Sequence, residues 1–213
     1  MYQPAHGAYV VPDPMALLAE LAARGPATLV THGADGFHTT VLPLLLDPTA
    51  GERGSLAGHV ALPNPQWASA DGGAAIAIFV GPDAYVTPSW YPEKRRSGRV
   101  VPTWNYVTAV VHGTLAVHRD PAWLATHLRH LVDRHEAGRP TRWSVDDPPA
   151  GYIAGQARGV VGLELRIDRV EAKRKLSQNR SAEDVAGAIA GLDQGGPGER
   201  AVADEMRRDA QRR

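Results

Sequence analysis

Cysteine is absent from this chain of 213 residues. That absence removes disulfides, iron–sulfur clusters, thiolate-ligated haem, cysteine-bound zinc and cysteine nucleophiles together. An excess of charge is missing as well, because 23 Lys and Arg balance 23 Asp and Glu. A protein that holds DNA through counterion release carries a basic excess or stripe, so nucleic acid is not an expected partner. No apolar run approaches the ~18–20 residues that span a bilayer. The opening MYQPAHGAYVVPDP has no basic stretch leading into an apolar one. The expected location is therefore cytoplasmic, with no membrane partner. Repeats of 20–50 residues, a P-loop and a Gly-x-Gly-x-x-Gly after a strand are also lacking.

What remains is an ordinary globular composition, 43% hydrophobic and 22% charged, long enough to bury one core. After an extended arm, Asp13 can cap a helix whose apolar face is Met15, Leu17, Leu18 and Leu21; Gly25-Pro26 ends it. Strand-like runs follow at Ala27–Thr31, Phe37–Leu46 and Ser55–Ala61, with Gly/Asp/Pro turns between them. Further strands are expected at Gly72–Val80, Ala84–Thr87, Thr103–Val117 and Val160–Val170. In the last, Val161, Leu163, Leu165 and Ile167 alternate with Gly162, Glu164, Arg166 and Asp168. Residues 88–101 read as a polar loop. Helical periodicity covers Asp120–Glu136, Ala182–Leu192 and a charged stretch from 199 onward. Strands come first and helices are inserted or appended, so the economical fold is mainly β: an antiparallel, Greek-key-like barrel with helices. Residues 1–192 are expected to form it, and 193–213 a charged helical extension.

Nine His, six Tyr and five Trp carry the interesting chemistry. Four stretches concentrate it: GHVALPNPQW (58–67), GPDAYVTPSWYP (81–92), VPTWNY (101–106) and KLSQNR (175–180). Proline stiffens these loops. Trp67, Trp90, Tyr91, Trp104 and Tyr106 offer flat apolar faces with polar tips. Such rings can line a slot for a planar cofactor, with Asn64, Gln66, Asn105, Gln178 and Asn179 orienting it. They can equally seal the barrel ends while the amides satisfy loop backbone. His127 and His130, at i,i+3 on one helix, can chelate metal, but without a partner carboxylate pattern they read, with His135, as surface residues. The EKRR cluster (93–96) reads as a solvated loop tip, and Asp146-Asp147 as a turn.

These stretches, in this order, together with DRHE (133–136) and VVGLEL (160–165), resemble the PaiB family of FMN-binding negative transcriptional regulators. The resemblance runs from about Met1 to Leu192. It implies an FMN-binding split β-barrel that forms a homodimer, with the cofactor at the subunit interface. Two departures stand out. Family members commonly have histidine where this chain has Val41, in Thr40-Val41-Leu42-Pro43, and again where it has Val110. His112, two residues after Val110, is expected to share its face, whereas His38 and Val41 should point apart. His59 is retained.

A relative of that family is the haem-dependent piperazate synthase, which the chain also resembles. That resemblance implies a haem b enzyme closing N5-hydroxy-L-ornithine, a small amino-acid substrate, into a ring by N–N bond formation. With no cysteine, the axial ligand would come from His, Met, Tyr or Lys, with His59 the first choice. Iron would act as a Lewis acid on the hydroxylamine. Lys175 would move a proton or hold the substrate carboxylate, and Tyr85, Tyr91 and Tyr106 could donate to the departing oxygen. Arg180 would hold a propionate or carboxylate. Trp67, Trp90, Trp104, Asn64, Gln66, Asn105, His112 and Gln178 complete the expected cofactor site.

Overall fold

The computed structural model describes residues 1–2 and 9–212; part of the expected N-terminal arm, residues 3–8, lies outside them. The chain divides into two compact units. Unit 1 comprises Met1–Arg24, Phe79–Val110 and Glu171–Arg213; unit 2 comprises Gly25–Ile78 and Val111–Val170.

Unit 2 holds residues of all seven strands: β1 (Ala27–Gly33), β2 (Gly36–Leu42), β3 (Leu45–Asp47), β4 (Ser55–Ala61), and parts of β5 (Ala74–Val86), β6 (Thr103–His118) and β7 (Val160–Lys175). Their order is β2-β1-β5-β6-β7-β4-β3. The jumps from β1 to β5 and from β7 to β4 are Greek-key crossovers. The pairs β1–β2, β1–β5, β3–β4 and β4–β7 are antiparallel. This is the expected split β-barrel. Alternation positions the core: Ala27, Leu29 and Thr31 point inward from β1, and Val161, Leu163, Leu165 and Ile167 from β7. The chain bends sharply where Phe37–Leu46 had read as one strand. Pro43 cannot donate to a ladder, so β2 ends at Leu42 and β3 starts at Leu45. The bend lays Leu42 and Leu44 over Gly58, where a Cβ would meet Leu44 at 2.7 Å. Helix α3 (Pro121–Glu136), capped by Asp120 through Trp123 N at 3.0 Å, and the short α4 (Tyr152–Ala157) complete the unit. Sequence periodicity did not reveal α4, which is only six residues long.

Unit 1 contains residues 79–86, 103–110 and 171–175 of β5, β6 and β7, with four helices. In α1 (Pro14–Arg24), Asp13 accepts from Ala16 N at 2.9 Å, and Leu17, Leu18 and Leu21 are buried. The stretch 88–101 is not plain loop: it carries a 3-10 turn at Pro88–Trp90, capped by Thr87, and α2 (Glu93–Arg96). The two expected strands around residues 80–84 are one, β5, and β7 runs on to Lys175. Helices α5 (Ala182–Asp193) and α6 (Pro197–Arg212) follow. The charged α6 still buries Val202, Ala203 and Met206. Beside them Glu205, fully buried, pairs with Arg174, Arg24 and Arg208.

Candidate functional site

In unit 2, His59 lies on β4 directly opposite Gly162 of β7. A glycine is required there because the indole of Trp123 occupies the space: a Cβ would meet the ring at 2.2 Å. Trp123 is the centre of a ring column. His118 stacks on one side with centroids 4.2 Å apart and planes 5° from parallel. His127, one helical turn along α3, stacks on the other at 5.2 Å. His127 meets His59 edge-on at 5.3 Å, and Nδ1 of His59 lies 3.1 Å from Nε2 of His127. Glu164 holds His118 through Nε2 at 3.1 Å.

Burial holds the pKa of His59 below its ordinary value. His127 falls to about 4, through burial first and then through neighbouring His59 and His130. Both imidazoles are neutral near pH 7, so one must donate to the other. His127 Nδ1 is buried without a partner. A buried N–H without an acceptor costs more than a buried lone pair without a donor. The cheaper tautomer therefore has His127 donating and His59 carrying its proton on Nε2. Burial of His127 corrects the reading of it as a surface residue. It lies three residues after Leu124 and one before Leu128, on the apolar stripe of α3. Trp123, also missed, had a signal in Gly162, a side-chain-free position between two buried neighbours.

The amides at the 58–67 corner serve the fold. Asn64 accepts from Gln66 N at 2.9 Å and donates to Thr40 at 2.9 Å. Buried Gln66 accepts from Thr40 at 2.5 Å and donates to the carbonyls of Leu29 and His38, both at 3.3 Å. Trp67 donates to the Leu62 carbonyl at 2.9 Å. His112 takes the outward side of β6, opposite buried Val111, with Arg169 3.1 Å from its Nδ1. His38 pairs with Asp35 at 2.8 Å, while Val41 is largely exposed.

Unit 1 receives the remaining expected residues. Asn105 points inward, exchanging hydrogen bonds with Ser177 at 3.1 and 3.2 Å. Its neighbours Trp104 and Tyr106 therefore face outward. Trp104 is 51% exposed and Tyr85 48%, with ring centroids 6.2 Å apart; Trp104 donates to Asp83 at 2.7 Å. Lys173 and Lys175 share one face of β7, and both ammonium groups lie over the Tyr106 ring, at 5.9 and 5.8 Å. Lys175 donates to Thr103 Oγ1 at 2.5 Å and to the Trp104 carbonyl at 2.7 Å. Its pKa is lowered, by burial first and then by Lys173. An anion placed here would relieve that repulsion. Lys173 is buried, donating to the Tyr2 carbonyl at 3.0 Å and lying over the rings of Tyr2 and Tyr9, so the ammonium that a negative group can reach beside the half-exposed aromatic faces is that of Lys175. Lys173 was not singled out from the sequence, where nothing distinguishes it from a surface lysine.

Trp90, Tyr91, Gln178 and Arg180 pack elsewhere in unit 1. Trp90 lies on α5, where a Cβ at Gly191 would meet its ring at 2.2 Å. Arg180 covers buried Tyr91 at 5.0 Å, and the Tyr91 hydroxyl has no partner. Gln178 accepts from Leu176 N and donates to the Arg174 carbonyl, both at 2.7 Å. It closes the turn in which Ser177 has a φ of 64°. Among the described residues, no group of three or more His, Asp or Glu could hold a metal ion. None of their helices is long and apolar enough to cross a membrane.

Comparison with known proteins agrees with this architecture. Residues 1–169 match the family model FMN_bind_2, described as "Putative FMN-binding domain". An uncharacterized protein of Emericella nidulans, AN0679, is 30% identical over 184 residues, 71% of this chain and 73% of that one. The "Protease synthase and sporulation protein PAI 2" of Bacillus subtilis is 31% identical over 137 residues, 63% of this chain and 62% of its own length. Among solved structures, the flavocytochrome Anf3 of Azotobacter vinelandii superposes with a TM-score of 0.56 at 15% identity, covering 87% of this chain and 78% of that one. An FAD and heme binding protein of Mycobacterium smegmatis gives 0.54 at 18% identity, over 83% and 78%. These two structures share the fold.

Proposed function

The chain belongs to the PaiB-type family of FMN-binding proteins, and from that membership we propose that it is an FMN-binding regulator whose flavin site is built on unit 1. The observation that carries the reading is Lys175 over Tyr106, backed by the buried Lys173 and beside half-exposed Trp104 and Tyr85. The Lys175 ammonium suits a phosphate, and the outward rings suit a flat, apolar ring system. Bound FMN supplies reversible electron and hydride transfer. Lys175 holds the phosphate, and Trp104 and Tyr85 keep water from the ring. A homodimer belongs to the same reading. Phe37 and Val41 leave apolar surface on the outer side of β2, 78% and 67% exposed, of the kind that a second copy covers. The test is a titration of FMN, followed by quenching of flavin fluorescence. Wild type is expected to bind, and Lys175→Met and Trp104→Ala each to bind at least ten times more weakly. Equal binding by all three would overturn the assignment.

A second reading keeps the piperazate synthase resemblance, with haem b on His59 and N5-hydroxy-L-ornithine as substrate. The His59–His127 contact favours it, since a metal-bound imidazole has its other nitrogen fixed by a neighbour. The same contact also opposes it. Freeing His59 Nε2 to ligate moves the shared proton to His59 Nδ1 and leaves His127 with a buried N–H and no acceptor. Flavin is the reading with the lower cost.

A further inference from the structure

The corner GHVALPNPQW builds more than a strand end. Leu62 N donates to the Gly159 carbonyl at 2.8 Å, and Leu62 O accepts from the Trp67 indole. The Trp67 ring in turn carries the Arg119 guanidinium at 5.6 Å. Leu62 and Arg119, the two ends of this chain of tethers, line a cavity of about 310 Å³ within unit 2. Leu124 and Leu128 of α3, Ile153 of α4 and Leu62 line it, with Arg119 and Arg158 as its two charged groups. Neither arginine pairs with a carboxylate among the described residues. The remaining lining is Ala, Pro and Val, with no aromatic ring, hydroxyl or amide.

We infer that this cavity binds an aliphatic carboxylate, its tail against the leucines and its head on Arg119 and Arg158. The volume sits at the small end of the ~300–1,000 Å³ typical of ligand pockets, which selects a chain of medium length. The aliphatic wall rewards burial of methylene groups and offers nothing to recognise a polar tail. The planar guanidinium matches a carboxylate in two parallel hydrogen bonds. Stacking on Trp67 holds Arg119 in place before the ligand arrives. The proposal is independent of the flavin reading.

The test is isothermal titration of the purified full-length protein with sodium decanoate, decanol and sodium acetate. Decanoate is expected to bind, with decanol at least tenfold weaker and acetate undetectable. The double variant Arg119→Gln/Arg158→Gln is expected to lose at least tenfold for decanoate while matching wild type in circular dichroism. Ala154→Trp, which fills the cavity from α4, is expected to abolish binding. Failure of decanoate to bind overturns the proposal. So does binding that is unchanged in both variants.

Discussion

Both units seat a tryptophan on glycine, yet they leave their aromatic groups in opposite states. In unit 2 Trp123 lies on Gly162 between His118 and His127, and the column is consumed by its own packing. In unit 1 Trp90 lies on Gly191 of α5, but Trp104 and Tyr85 remain half exposed beside two lysines. The polar logic differs in the same way. In unit 2 burial keeps two imidazoles, those of His59 and His127, neutral. Unit 1 keeps charges, offset by other charges. A ring or an imidazole marks a ligand site only where the fold leaves a face or an atom of it unspent.

The largest expected effect breaks the charged side of this comparison. Burial alone would raise the pKa of Glu205, but Arg174, Arg208 and Arg24 outweigh it and hold the carboxyl below its ordinary value. Glu205→Ala takes the buried carboxylate from Arg174 and leaves it only the partly exposed Glu20 at 2.6 Å, which costs about 3 kcal/mol and lowers Tm by about 10 °C. A loss under 1 kcal/mol would mean the cluster is solvated in solution. Because the folded pKa is depressed, this contribution is complete above the unfolded value and is lost as pH falls through the folded one.

The neutral side breaks at higher pH. His127, ordinarily near 6.5, sits at about 4 when folded, so the unfolded chain takes up the proton first. Its contribution is therefore intact above pH ~6.5 and declines by about 3 kcal/mol as pH falls toward ~4. His127→Gln should flatten chemical-denaturation stability over that window. An unchanged acid slope would place the titration elsewhere.

Next come the two indole seats. Gly162→Ala and Gly191→Ala each force a methyl into a ring, and about 1–3 kcal/mol of destabilisation is expected for each by thermal melts. Similar losses would show that the seats are equivalent although their surroundings are not. The smallest stability effect sharpens the contrast most. Trp104→Ala should change stability by no more than about 0.5 kcal/mol, while weakening FMN binding at least tenfold. A large stability loss with intact flavin binding would make Trp104 a packing residue.

Much of this fold is legible in the sequence, because alternation survives in strands buried on one face. Val161 to Ile167 announce β7, and Asp13 announces the helix it precedes. The break at Pro43 is not read from the sequence, where Phe37–Leu46 passes for one strand; it depends on Leu42 and Leu44 closing over Gly58. The sites are less legible. Asn105 and Trp104 are neighbours on one strand, and the pleat, against their polarity, turns the amide inward onto Ser177 and the indole out. His127 drew attention for its spacing to His130, whereas its spacing to Leu124 determines its burial. Lys173 gains its role from Tyr106 across the fold, a relation with no trace in local sequence.

The central claim is that this protein's cofactor is a flavin held on the unit 1 face. The most direct measurement is the absorption spectrum of protein expressed with both riboflavin and a haem precursor supplied, with the extracted chromophore identified by mass spectrometry. The expected result is the paired near-ultraviolet and blue bands of a flavin, with FMN in the extract, and their loss in Lys175→Met. A sharp Soret band that His59→Ala removes, with haem in the extract, would contradict the account and move the site to unit 2.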